Sequence, residues 1–138
     1  MAKKKFTMKG YYDEVAEISQ QVRGFFEKNK INTKVCDEIE ICLTEALNNV
    51  IKHSYKGETD KPIEVLVNKK KKILEIEIID TGEARKSFDK PTLDFDPEDI
   101  ESLPEGGMGL FIIEEIMNET HYRVVEDRNI YTMRKFVK

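Results

Sequence analysis

The run Asp37-Glu38-Ile39-Glu40-Ile41-Cys42-Leu43-Thr44-Glu45-Ala46-Leu47-Asn48-Asn49-Val50-Ile51-Lys52-His53 decides how this chain is read. With Val35 just before it, Ile39, Cys42, Leu43, Ala46, Leu47 and Val50 fall at helical spacing and form one apolar ridge. Glu45, Asn49 and His53 recur every four residues, so they share a different face of the same helix. Asparagine is a poor helix former, and a second one at position 48 adds to the cost. An asparagine oxygen suits Mg²⁺, a hard cation that keeps several waters. A glutamate one turn away can take a proton from a hydroxyl or a water. For an isolated Glu-x-x-x-Asn, a solvated polar face is the simpler account. His53 alone fits a helix C-terminus, where its side chain meets the dipole.

Two pieces downstream change the balance. The stretch Ile73-Leu74-Glu75-Ile76-Glu77-Ile78-Ile79 reads as a strand and ends in Asp80-Thr81-Gly82. Such an aspartate can accept from an exocyclic base amine while Gly82 lets the backbone approach the ring. Taken alone it is more simply an ordinary strand-ending Asp-x-Gly turn, which is common. Then Glu105-Gly106-Gly107-Met108-Gly109 packs three glycines into four residues before an apolar helix. Glycines are costly there unless the backbone needs unusual dihedrals or close contact, as in a phosphate cradle at a helix N-terminus. No Gly-Lys-Ser/Thr follows, and no parallel strand immediately precedes, which excludes a Walker A loop and a dinucleotide fingerprint. In this order the three pieces supply a metal and proton site, a base reader and a phosphate cradle.

The remaining elements read outward from these. Lys5 to Lys9 alternates enough for a short strand. Val15, Ile18, Val22, Phe25 and Phe26 predict a helix from about Tyr12 to Lys28. Thr33 is the expected N-cap of the second helix, which should run to about His53. Cys36 stands where a capping-box acid would sit. Ile63 to Asn68 and Ile73 to Asp80 predict a hairpin closed by Lys69-Lys70-Lys71-Lys72, a solvated turn rather than a binding patch. The segment Thr81 to Gly106 is polar, holds Pro91, Pro97 and Pro104, and has the length of a binding loop or lid. Within it, Asp96 to Ile100 suits one helical turn. A helix from Gly109 to about Glu119 follows. Strands Tyr122 to Val125 and Ile130 to Val137 then close around Asp127-Arg128-Asn129. No repeat or domain boundary appears. The expected class is α+β: a two-layer α/β sandwich with helices on one face of a mixed, mostly antiparallel sheet, as one domain over residues 1–138.

Bulk properties agree. The chain has 138 residues, 39% hydrophobic and 36% charged, with the charges interspersed among apolar residues, as in a globular domain. A net charge of −4 with no large basic excess argues against direct nucleic-acid binding. No apolar run approaches the roughly 20 residues that span a bilayer, and no signal-peptide core is visible. A soluble, cytoplasmic protein is expected. Cys36 and Cys42, on different faces of one helix, cannot pair with each other and suit a reducing compartment.

At this point the residues resemble a family. Glu45 to His53 is similar to the N-box of GHKL ATPases, Asp80-Thr81-Gly82 to their G1 box, and Gly107-Met108-Gly109 to their G2 box. Size, loop spacing and the ending Asn129 to Lys135 resemble the anti-sigma factor serine-protein kinases, the RsbW/SpoIIAB-like group. The resemblance implies a Bergerat ATP-binding fold. It implies Glu45 as catalytic base, Asn49 as the Mg²⁺ ligand, Asp80 and Gly82 at adenine, and Gly106, Gly107, Met108 and Gly109 at the phosphates, with His53 beside them. The segment before the glycines becomes an ATP lid. ATP and Mg²⁺ are the implied cofactors. The implied partners are a STAS-type anti-anti-sigma protein, phosphorylated on serine or threonine, and a sigma factor, bound by a homodimer. The alternative is a partner-switching binding module without kinase activity. It is favoured by Ala84, where the G1 box usually has a second glycine, and by the acids Asp89, Asp94, Asp96, Glu98, Asp99, Glu101 and Glu105. A histidine-kinase catalytic fragment is weaker, because the chain has only His53 and His121 and no separate phosphoacceptor helix.

Overall fold

The computed structural model describes residues 2–56, 58–83 and 108–137, with Met108 and Gly109 described by backbone alone. Strand β1 (Ala2–Lys9) leads into helices α1 (Tyr12–Lys28) and α2 (Thr33–Asn49), and α2 continues as a π-helical turn, Val50–Ser54. Strands β2 (Pro62–Lys70) and β3 (Ile73–Asp80) follow, then α3 (Met108–Ile116), β4 (Glu119–Val125) and β5 (Arg128–Phe136). The five strands form one sheet in the order β1-β2-β3-β5-β4. Every pairing is antiparallel, so among the described residues the expected mixed sheet contains no parallel pair.

The alternation of the strands sets the layers. Ile63, Val65 and Val67 of β2, with Leu74, Ile76 and Ile78 of β3, are buried on one face and pack against α1 and α2 through Val22, Phe26, Leu43 and Leu47. The opposite face carries charged ladders, such as Glu75 to Arg134 at 2.7 Å and Arg134 to Glu119 at 3.2 Å. Arg23 joins the helices from α1, with Asp37 at 2.6 Å and Glu40 at 2.9 Å on α2. Both cysteines lie in the core. Burial pushes the Cys36 thiol up, and the Cys42 thiol up to about 12, which leaves them protonated packing groups.

Several boundaries differ from the reading of the sequence, each for a physical reason. Strand β1 begins at Ala2, because Lys3 and Lys4 pair with Asn68 and Val67 although their own pattern carries no alternation. The N-cap of α2 is Asn32, whose side chain accepts from Val35 N at 2.9 Å, and Thr33 is the first helical residue. Asparagine is the stronger cap of the two. Helix α3 stops at Ile116 because Glu119 is already paired with Arg134, and Lys135 Nζ donates to the Ile116 carbonyl at 2.8 Å. The last hairpin turns at Glu126 and Asp127, with Glu126 at φ 59, so Arg128 and Asn129 belong to β5. The acid-rich segment 84–107, with Ala84, Gly106, Gly107 and the suggested helical turn at Asp96, lies outside the described residues.

Asn32→Ala is expected to lower unfolding free energy by about 1 kcal/mol, and Thr33→Ala to change it by no more than about 0.5 kcal/mol. Urea unfolding of both variants checks the assignment. The reverse order would return the cap to Thr33.

Candidate functional site

Asp80 is in phase with the core. Leu74, Ile76, Ile78 and Asp80 fall on the same face of β3, so a carboxylate occupies the last inward position of a buried strand. It is 4% exposed. A buried polar group in such a position is informative, because its desolvation has to be offset by hydrogen bonds. Two donors supply them. Gly82 N donates to Asp80 Oδ1 at 2.9 Å, and Asn129 Nδ2 donates to the same oxygen at 2.8 Å. Asn129 lies directly opposite Asp80 across the β3–β5 ladder. Among the described residues no donor reaches Oδ2. Burial raises the carboxyl above its ordinary 3.8, while the donors from Asn129 and Gly82 pull it back down.

The turn after Asp80 is tied to the end of α2. A Cβ on Gly82 would lie 2.5 Å from the Ser54 carbonyl oxygen and 2.7 Å from Tyr55 Cδ1. The expected reason for this glycine was approach to a base; the close approach in the structure is to Ser54 and Tyr55. Glu83 N donates to Ser54 O at 2.9 Å. Tyr55 is 2% exposed, and its hydroxyl donates to Pro62 O and accepts from Thr81 N at 3.1 Å. The π-helical turn makes this possible. Tyr55 N reaches back five residues to Val50 O at 3.0 Å, a wider turn than an α-helix makes.

Asn49 and Asp80 line one small cavity with Ala46, Val50, Ser54, Tyr122 and Tyr131. Its volume is about 20 Å³, room for about one water. The Asn49 side-chain Nδ2 is buried and, among the described residues, has no hydrogen-bond partner. An orphaned amide donor of this kind calls for an acceptor, such as a phosphate oxygen or a water. Among the described residues no group of three or more His, Cys, Asp and Glu side chains could hold a metal ion. A Mg²⁺ ion at Asn49 therefore needs phosphate and water oxygens besides the amide, which fits a cation that retains much of its hydration.

The expected residues divide. Asn49, Asp80 and Gly82 come together. Glu45 lines a separate, open depression of about 530 Å³ with Asp37, Glu40, Ile41 and Thr44 on α2. His53 sits in the π-helical turn and is not among the residues around the small cavity, where Ser54 stands instead. Helix α3 begins at Met108, one residue before the expected start at Gly109, and Gly106 and Gly107 lie outside the described residues. Ser54, Tyr55, Tyr122, Asn129 and Tyr131 escaped the sequence reading. The phase of β5 was the available signal for Asn129, which shares its face with Tyr131 and Met133.

With this geometry in place, the chain belongs to the histidine kinase-like ATPase domain family, which it matches over residues 10–135. Serine-protein kinase RsbW of Staphylococcus aureus (strain bovine RF122 / ET3-1) is 33% identical over 137 residues, covering 90% of this chain and 80% of the relative. The RsbW of Listeria innocua is 32% identical over 102 residues, 70% of this chain, and the match spans only 63% of that relative's length. Among solved structures, the RsbU and RsbW domains of Rv1364c from Mycobacterium tuberculosis align at a TM-score of 0.67 and 12% identity, over 100% of this chain and 34% of that one. A chain of the SiaB–SiaC complex from Pseudomonas aeruginosa aligns at 0.58 and 14% identity, over 97% of this chain and 89% of that one. At such identities these structures speak for the fold.

Two outcomes follow from the turn. Burial raises the folded value of Asp80, so the carboxyl stabilises most when protonated and loses that contribution as pH rises through its folded value. Asp80→Asn is thus expected to melt higher than wild type at pH 7, with the gain shrinking as pH falls and gone below 3.8. An equal or lower melting temperature at pH 7 contradicts this. Gly82→Ala is expected to cost about 1–3 kcal/mol in urea unfolding, because the new methyl meets backbone that cannot swing away. A cost under about 0.5 kcal/mol would mean that the contact with Ser54 is loose.

Proposed function

We propose that this chain is an ATP-binding anti-sigma regulatory factor acting as a serine/threonine protein kinase. The observation that carries the reading is one cavity lined by both an Asn49 amide nitrogen with no partner among the described residues and an Asp80 carboxylate whose two donors among those residues both go to Oδ1. Each lacks a partner of the opposite hydrogen-bonding kind, and a nucleotide offers both, an amine on its base and oxygens on its phosphates. Family membership and the naming of the relatives as serine-protein kinases support the same reading.

Asp80 accepts from the base. Asn49 would hold Mg²⁺ through its amide oxygen, and Gly106, Gly107, Met108 and Gly109 are the residues assigned to the phosphates. Bound Mg²⁺ supplies charge neutralisation at the phosphates. Glu45, one helical turn before Asn49, lines the open depression rather than the base cavity, so it stands where an acceptor hydroxyl can reach it from outside. It takes the hydroxyl proton, although phosphoryl transfer depends more on positioning and charge than on base strength. The acceptor is a serine or threonine of a STAS-type anti-anti-sigma protein. A sigma factor is the second partner, bound by a homodimer in the cytoplasm. The structural likeness to a chain from a two-protein complex, SiaB–SiaC, supports a protein partner.

A second reading has an observation of its own. A cavity of about 20 Å³ does not admit a purine without opening, which favours a partner-switching module that works without nucleotide. Calorimetric titration of Mg-ATP separates the two. Wild type is expected to bind and Asn49→Ala to lose binding by about tenfold or more, as for a hydrogen bond to a charged group. Glu45→Ala is expected to keep Mg-ATP affinity while abolishing phosphate transfer to a STAS-type partner. Absence of Mg-ATP binding by wild type moves the chain to the second reading. Wild-type affinity in Asn49→Ala overturns the metal assignment.

A further inference from the structure

Asn129 has an unusual place for a strand asparagine. It is 2% exposed, faces the core side of the sheet, and sits directly across from Asp80. Its amide nitrogen has two hydrogens, and both are engaged. One goes to Asp80 Oδ1 at 2.8 Å and the other to the Gly82 carbonyl at 3.0 Å. Gly82 N closes the ring by donating to the same Asp80 oxygen at 2.9 Å. Rotation about the last bond of an aspartate side chain is soft and two-fold, so a lone carboxylate does not choose which oxygen to present. Two donors on Oδ1 remove that freedom and leave Oδ2 as the acceptor.

We propose that Asn129 is a positioning and specificity-determining residue for the nucleotide. By clamping Asp80 Oδ1 and the Gly82 carbonyl, it presents Oδ2 to the amino group of a 6-aminopurine and turns away a 6-oxopurine. This rests on the nucleotide reading of the cavity and assigns its selectivity to a residue outside the three motifs. An ionised carboxylate is acceptor-only, so an amino group satisfies Oδ2. A keto oxygen in the same place sets acceptor against acceptor and leaves a buried oxygen unpaired. Without Asn129 the carboxylate has one donor instead of two, and burial is opposed less strongly. A carboxyl that takes up a proton has an O–H to donate, and then it accommodates either purine.

The test is calorimetric titration of Mg-ATP and Mg-ITP, which differ at position 6 of the base, into wild type, Asn129→Ala and Asn129→Ser, with folding checked by thermal melting. Wild type is expected to prefer ATP by about 100-fold or more, as expected of a site built around a purine amine. The variants are expected to lose ATP affinity by about tenfold and ITP affinity by less than about twofold, so that discrimination falls by roughly five- to tenfold. In the variants the loss of ATP affinity on acidification also moves to higher pH, which a residue that merely holds the fold would not produce. If wild type discriminates and the folded variants lose both nucleotides equally, the proposal falls and the nucleotide reading stands. If wild type binds ATP and ITP alike, the base-reading role of Asp80 falls and takes the proposal with it. Failure of both variants to fold makes Asn129 a structural residue and overturns the proposal.

Discussion

A carboxylate removed almost entirely from water has to be held by donors, and Asp80 draws its donors from two places. One is the turn it opens, through Gly82 N, and the other is the facing strand, through Asn129. The turn is in turn pressed on the end of α2, where only a glycine fits against the Ser54 carbonyl. Three parts of the fold, the end of α2, the end of β3 and the start of β5, are therefore joined at one charged side chain. Moving any one of them exposes or orphans a buried polar group, at roughly 1–3 kcal/mol each. That cost holds the site in register.

The π-helical turn after Asn49 belongs to the same arrangement. An α-helix continued through His53 would keep the 3.6-residue rotation and carry Ser54 and Tyr55 round accordingly. The wider turn instead brings Tyr55 to the end of the β2–β3 pair, where its hydroxyl ties Pro62 at the start of β2 to Thr81 just after β3. Asn49 stands at the last α-helical position before this change, with a buried amide hydrogen-bond donor left unmatched. Irregular helix geometry and an unsatisfied polar group coincide at one position, as is common where a fold gives up stability for a ligand. The raised Asp80 carboxyl is a second case of the same exchange, since burial opposes its charge and a base would reward it.

Much of this was legible in order along the chain. The limits of α1 and β3 follow from local periodicity, because a helix face or an alternating strand is written in neighbouring residues, whereas pairing with Leu74 and Ile73 draws Lys69 and Lys70 out of the expected turn and into β2. Asn49 stood out by its poor helix propensity, and Asp80 as the aspartate that ends a strand before Thr81-Gly82. Asn129 did not, because Asp127-Arg128-Asn129 has turn composition, and the turn in fact forms one residue earlier with Glu126 left-handed. Its strand position comes from pairing with β3, a partner 49 residues away, and the phase it shares with Tyr131 and Met133 becomes readable only once β5 is known to begin at Arg128. The end of α3 was misplaced for the same reason. Glu119 has good helix propensity, and pairing with Arg134 overrides it.

The sequence by itself determined the class of the fold, the helix that carries Glu45 and Asn49, the strand that ends in Asp80 and the apolar helix α3. Each is set by spacing along the chain, and family membership agrees with their order. Only the tertiary structure decided which of these side chains share a cavity, that Glu45 looks into a different depression, and that Gly82 answers to Ser54 and Tyr55. It also decided that Asn129 is what holds Asp80. The physical reason is that burial and hydrogen-bond satisfaction are properties of the assembled layers. A carboxylate's free oxygen is defined by what has already bound its twin, and that donor arrives from the far end of the chain.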